Sequence, residues 1–231
     1  MSDFKLCKWP EGLDPLDESV AAAMDRLNDD RQGWGEFLTA LRTGSAEERA
    51  APLITFSHFL PRLELCPEKR MLFYPNLPKA VGSDYILRRI QGLAEIGTAA
   101  GREEEDDDDG GGGGGGRIRE HVHVFGHTHF GWDMTLQGIR YIQAPVSYPN
   151  EWKQRPGSLT VGPDARGAEF NLAPHAQQPL DDAPLCIWGE KCGGFVGPMN
   201  ARWSDHYNSN PREPENMELA WWVKGAVKGA S

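Results

Sequence analysis

The sequence predicts a single α/β domain, and three observations carry that reading. Stretches with helical apolar periodicity alternate with apolar runs too short to be helices, in the order helix, strand, helix, strand. With 231 residues the chain is long enough to bury a sizeable core as one domain spanning 1–231. No apolar run approaches the roughly 18 residues that would read as a membrane-spanning helix.

Residues 14–30 read as the first helix, with Asp17 placed to cap it and Val20, Ala21, Met24 and Leu27 on its inner face. Trp34, Phe37, Leu38 and Leu41 make a second apolar face that stops before Gly44. Ser45 followed by Glu48 has the spacing of a capping box, so a short helical turn opens there, and Pro52 closes it. A strand follows over residues 53–57. Residues 83–96 form the third helix, with Ser83 as cap and Ile86, Leu87, Ile90, Leu93 and Ala94 inward. Val122, Val124 and Phe125 mark a second strand. His121 and His123 alternate with the valines and so share one face, the pattern of a half-exposed strand, and neither is assigned to a site. Beyond residue 155 the chain is rich in Pro and Gly. Leu159, Thr160 and Val161 suggest an edge strand, and the rings of Trp188, Trp203, Tyr207, Trp221 and Trp222 are expected to pack onto the domain. Arg202 and Arg212 are further candidates for a phosphate contact, since the guanidinium fork suits that geometry.

The net charge is −10, but seven negative charges sit in residues 103–109, and without them the balance is −3. The bulk of the chain is only mildly acidic, and nothing favours a nucleic-acid partner. Residues 102–116, acids followed by seven glycines, cannot bury enough apolar area to offset ordering and read as a low-complexity surface loop within the domain. Cys186 and Cys192 are close enough in sequence for a small-loop disulfide or a zinc site with His206. With no Cys-x-x-Cys pair, reduced thiols in an intracellular, cytoplasmic protein are the expectation. The first ten residues contain neither a signal-peptide core nor a transit-peptide composition.

The chemistry-bearing segment is His121 to His129. Gly126-His127-Thr128-His129 closes an apolar run and puts two imidazoles at the mouth of a strand, where open sheets hold ligands. Neutral imidazole is a common metal ligand. Gly126, lacking a Cβ, is expected to turn the backbone sharply there.

Gly126-His127-Thr128-His129 resembles the closing motif of the calcineurin-like metallophosphoesterases. Leu53 to Pro61, containing Ser57-His58, is similar to that family's strand ending in a lone ligand histidine. Gly138 to Pro145, followed by Tyr148-Pro149, looks like the strand that pairs with the histidine strand. The three segments keep the family's order and cover roughly residues 50–155. The resemblance implies a sandwich of two sheets flanked by helices, two divalent metal ions (Mn, Fe or Zn) and hydrolysis of phosphate esters. His58 and His127 would ligate one metal, and His129 the other.

The departure from the family pattern matters equally. The family opens with Asp-x-His, Gly-Asp-x-x-Asp and Gly-Asn-His motifs. No histidine precedes His58, and Gly12, Gly33, Gly35 and Gly44 are followed by neither Asp nor Asn. The resemblance therefore covers the C-terminal part of the family's domain, which leaves two explanations open: a shortened reading of a longer product whose true N-terminus is missing here, or a truncated relative. The sandwich is expected to be incomplete, with an open sheet edge that lowers solubility. Two cations carry four positive charges, which three neutral imidazoles do not offset. Two other readings stand beside the metallophosphoesterase: a non-catalytic binding or scaffold protein on the same fold, and a mononuclear zinc protein using His58, His127 and His129.

Overall fold

Short apolar runs assemble into one four-stranded sheet, whose strands are β1 (Leu53–Phe56), β2 (His121–Val124), β3 (Trp132–Leu136) and β4 (Ile139–Gln143). The computed structural model describes residues 6–31, 33–102, 119–162, 186–189 and 194–229. The spatial order is β1-β2-β4-β3. β1 pairs parallel with β2 in the register Leu53↔His121 and Thr55↔His123, and β2 pairs parallel with β4. β3 and β4 form an antiparallel hairpin. Gln137 (φ +52°) and Gly138 (φ +77°) are its two loop residues. Positive φ at both central positions is the turn whose twist matches that of paired strands.

Three helices precede the first strand, α1 (Ser19–Arg31), α2 (Trp34–Thr43) and α3 (Ala46–Ala50), and α4 (Asp84–Arg102) lies between β1 and β2 in the chain. Asp17 accepts the Ser19 N–H at 2.7 Å at the start of α1. The expected capping box opens α3: Ser45 Oγ accepts the Glu48 N–H at 3.2 Å, and Glu48 accepts the Ser45 N–H at 2.7 Å. Ser83 Oγ accepts the Tyr85 N–H at 3.1 Å at the head of α4. Ile90 and Leu93 of α4 are buried as their spacing predicts. The first two helices depart from their predicted burial. Val20 is buried, but Met24 and Leu27 are 49% and 42% exposed, and α2 buries none of its residues. This hairpin is fastened largely by one side chain. Arg89 of α4 grips the Asp25 carboxylate with two nitrogens at 2.5 and 2.9 Å, reaches Asp29 at 2.9 Å, and lies over the Trp34 ring.

The core gathers on one face of the sheet. Trp132, Ile139 and Tyr141 pack with Leu60, Leu65, Met71, Val81, Ile90 and Trp203. Two short helices, α5 (Pro149–Gln154) and α6 (Pro156–Leu159), follow the sheet. The run expected as a strand at 159–161 contributes only its last residue to one. α6 ends at Leu159, and β5 (Val161–Gly162) begins two residues later. Two small sheets complete the fold: β6 (Trp188–Gly189) with β7 (Gly194–Phe195), and β5 with β8 (Asn200–Ala201). α7 (Arg202–Ser209) then lays Trp203 and Tyr207 against Trp132, the Tyr207 and Trp132 rings stacking at 5.8 Å. α8 (Trp221–Gly229) ends the described chain, with Trp222 packed on the core and Trp221 and Trp188 largely exposed. The aromatic tail thus packs onto the domain in part. Arg212 departs from the phosphate contact considered for it. Its guanidinium donates to the Glu64 and Cys66 carbonyls and covers the Tyr207 ring.

Gly82 marks a close crossing of two segments. A Cβ there would lie 1.8 Å from the Leu60 carbonyl oxygen, and Leu60 and Ser83 exchange backbone bonds with this crossing at 3.0 and 3.2 Å. β1 forms an edge of the sheet, with Phe56 84% and Ile54 43% exposed. Among the described residues no helix is long and apolar enough to cross a membrane. Among the described residues no disulfide joins Cys7, Cys66 and Cys186, while Cys192, and with it the Cys186–Cys192 pairing, and most of the acidic, glycine-rich run lie outside them.

The uneven distribution of burial gives a direct test. Trp132→Ala should lower the unfolding free energy by about 3–5 kcal/mol, because it empties the centre of the core. Phe37→Ala on α2 should change it by less than about 1 kcal/mol. Urea denaturation of both variants reads the difference.

Candidate functional site

The three parallel strands set the geometry. Because β1 and β2 run in the same direction side by side, the residues that follow them emerge at the same edge of the sheet, the carboxyl end where open sheets gather ligands. His58 follows β1 by two residues and His127 follows β2 by three. His127 Nδ1 lies 3.2 Å from His58 Nε2, close enough for a hydrogen bond between the two imidazoles. The rings meet edge to face with centroids 5.1 Å apart, and the Phe59 ring packs against both.

Gly126 serves a different purpose from the one expected. Its backbone is not left-handed; the residues with positive φ are His127 (+72°) and His129 (+54°) themselves. Thr128 N–H donates to the Gly126 carbonyl at 2.9 Å, so His127 sits at the centre of a γ-turn of the strained, positive-φ kind. Gly126 instead permits close approach: its N–H donates to the His58 carbonyl at 3.1 Å, and a Cβ would lie 3.3 Å from that oxygen. Two non-glycine residues held at positive φ on either side of buried Thr128 represent stored strain on the order of 1–3 kcal/mol each. Thr128 is anchored by Gln143 at the end of β4, through a side-chain contact of 3.2 Å.

His129 is not brought to the His58–His127 pair in a way that gathers three ligands. Among the described residues no group of three or more His, Cys, Asp or Glu side chains converges as a metal cage. His129 Nδ1 faces Glu151 Oε2 of α5 at 2.7 Å, and the Tyr148 ring lies against it. Glu151 also accepts the Tyr148 N–H at 3.0 Å and a bond from Arg155, whose other nitrogen donates to the His129 carbonyl at 3.1 Å. Burial alone would raise the Glu151 pKa. The bonds from Tyr148, Arg155 and His129 outweigh it and hold this carboxyl below its ordinary value. A carboxylate accepting from Nδ1–H leaves Nε2 as the coordinating atom of His129, the usual arrangement behind a metal-ligating histidine. The imidazoles therefore fit the nitrogen part of a metal centre, but the described residues do not supply the charge-balancing carboxylates of a dinuclear one. Glu151 was not among the expected site residues. The signal that could have found it is its spacing from Tyr148-Pro149, an acid in the first turn of a helix.

His121 and His123 correct the sequence reading more strongly. They do not lie on a half-exposed face; His123 is 1% exposed and His121 5%. That face is polar without being wet. Thr55 Oγ1 lies 2.8 Å from both His121 Nε2 and His123 Nδ1, and Ser57 Oγ lies 3.0 Å from His123 Nε2. Burial pushes the His121 pKa down from 6.5 to about 4, with Arg119 adding repulsion, and that of His123 to about 3, with His121 adding to it.

The pH consequence follows from the direction of those shifts. Both groups stay neutral when folded but protonate below their ordinary value of 6.5 when unfolded. Their contribution to stability is complete above pH 6.5 and is lost as the pH falls toward 4 and then 3. Each unit of separation is worth about 1.4 kcal/mol. Denaturant midpoints measured between neutral and acid pH should fall over this window, and the slope should flatten in His121→Gln. A midpoint independent of pH across the window would contradict the neutral buried pair.

Compared with known proteins, the chain matches no family model, no curated protein and no solved structure, so the site is argued from its own geometry.

Proposed function

We propose that this chain carries the histidine-bearing half of a metal-dependent phosphoesterase site, on a calcineurin-like sandwich of which it holds only part. His58 and His127 would hold one divalent cation (Mn, Fe or Zn), and His129 would hold a second through Nε2. The observation that carries the reading is the 3.2 Å approach of His127 Nδ1 to His58 Nε2, built from the ends of two adjacent parallel strands. The positive φ at His127 and His129 supports it, because backbone strain collects where function demands a particular side-chain aim. The cations, when bound, would neutralise a phosphate ester and lower the pKa of an attacking water. The chain's own residues aim the imidazoles: Gly126 lets His127 approach His58, and Glu151, locked by Arg155, turns His129.

The absence of a converging group of three ligands among the described residues favours a second reading, a non-catalytic binding protein on the same fold. It also weighs against the mononuclear zinc reading, since no compact three-histidine set forms among the described residues.

Isothermal titration with Zn²⁺ and Mn²⁺, alongside a phosphomonoester assay, tests the proposal. The expected outcome is weak metal binding that disappears in His58→Ala and in His127→Ala, with little hydrolysis by this chain alone. Binding unchanged in both variants would remove the pair as a metal site. Near-stoichiometric Mn or Zn in the purified protein, with phosphatase activity lost in His127→Ala, would show instead that the site is complete.

A further inference from the structure

A chain of hydrogen bonds runs beneath the candidate site, and its direction can be worked out from one end. Ser57 Oγ lies 2.6 Å from the Phe59 carbonyl oxygen, which can only accept, so the Ser57 hydroxyl proton points there. Ser57 Oγ must then accept at its other contact, and His123 carries its proton on Nε2. The Nδ1 of that neutral ring is a bare lone pair and accepts from the Thr55 hydroxyl. Thr55 Oγ1 in turn accepts from His121 Nε2–H. His121 Nδ1 is left as a buried acceptor, without a hydrogen-bond partner among the described residues. All four side chains lie on one face of β1 and β2, because the parallel register sets Thr55 opposite His123.

The end of this chain holds the turn that presents His58. The His58 side chain is exposed, so burial does not fix its aim. Its backbone is held by Ser57 N–H on the Val124 carbonyl at 3.0 Å and by Gly126 N–H on the His58 carbonyl at 3.1 Å. The Ser57 hydroxyl closes the turn across His58 by binding the Phe59 carbonyl. We propose that His123, acting through Ser57, is a positioning residue for His58: the directed relay from His121 through Thr55, His123 and Ser57 to the Phe59 carbonyl fixes the 57–59 turn and so the aim of the His58 imidazole at His127. This rests on the reading of His58 and His127 as a metal-binding pair.

The test uses the full chain labelled with ¹⁵N-histidine, and Zn²⁺ as the metal probe. In the unsubstituted protein, long-range ¹H–¹⁵N spectra should show His121 and His123 as Nε2–H tautomers. Ser57→Ala and His123→Leu should move the His58 ring signals toward those of a free, exposed histidine before any metal is added, and should weaken Zn²⁺ binding roughly 10-fold. His123→Gln can place an amide N–H where Nε2–H stood, and should restore the His58 signals and most of the affinity. Should His123→Leu fail to fold, Ser57→Ala, which removes a single hydroxyl, decides the question. An Nδ1–H tautomer at His123 overturns the relay. Unchanged His58 signals in folded Ser57→Ala overturn the positioning role, as does a His123→Gln protein that behaves like His123→Leu. If the unsubstituted protein binds no Zn²⁺, the metal reading falls while the metal-free spectra still decide the relay.

Discussion

The parallel register of β1 on β2 is the constraint on which the rest depends. Pairing Leu53 with His121 sets Thr55 beside His123 and leaves both strands ending at one edge of the sheet, so that His58 and His127 come within 3.2 Å. A slip of one residue would turn the buried His121 and His123 to the opposite face and separate the two site histidines. The register is enforced by chemistry on both faces. Val122 is buried on one, while the other carries two imidazoles and two hydroxyls that satisfy one another only in this alignment. Polar networks of this sort, in which each donor has an acceptor, specify an arrangement more sharply than apolar packing does, because a mismatch would leave a buried donor without one.

Much of the local structure was legible because it depends on neighbours in sequence. The Ser45–Glu48 box, the Ser83 start and the inward Ile90 and Leu93 all follow from spacing within a few residues. The burial of α1 and α2 was not legible. Apolar periodicity tells which side of a helix faces the protein, but not how much protein is there, and Met24, Leu27 and Phe37 remain substantially exposed. His121 and His123 were misjudged for a related reason. Alternation with valine implies two unlike faces, and nothing local reveals that β1 will bring hydroxyls to the histidine side.

The candidate site shows the same division. His58, His127 and His129 could be named from short motifs, and the family resemblance set the first two apart from the third, but the partner of the third could not be read. The structure pairs the first two and turns the third toward Glu151, which lies on a helix 22 positions further along the chain. The role of Gly126 was also inverted: tight turning falls on the histidines, and the glycine makes room for the His58 carbonyl. A turn residue and a close-approach residue look alike in sequence because both are glycine; only the partner strand distinguishes them.

The crossing at Gly82 has a bearing on which parts of this chain can vary. Leu60 sits just beyond the His58 turn, and a side chain at position 82 would collide with its carbonyl oxygen at 1.8 Å. The backbone after the turn would have to move to admit even a methyl group, carrying the end of the 57–59 segment with it. Position 82 bears no reactive group and touches neither histidine pair, yet it leaves almost no freedom of substitution. The helical hairpin held by Arg89, with its half-exposed apolar residues, can drift widely in sequence at little expense to the site. Tolerance to change in this fold is therefore governed by distance from the strand ends in space, with chemical prominence a poor guide to it.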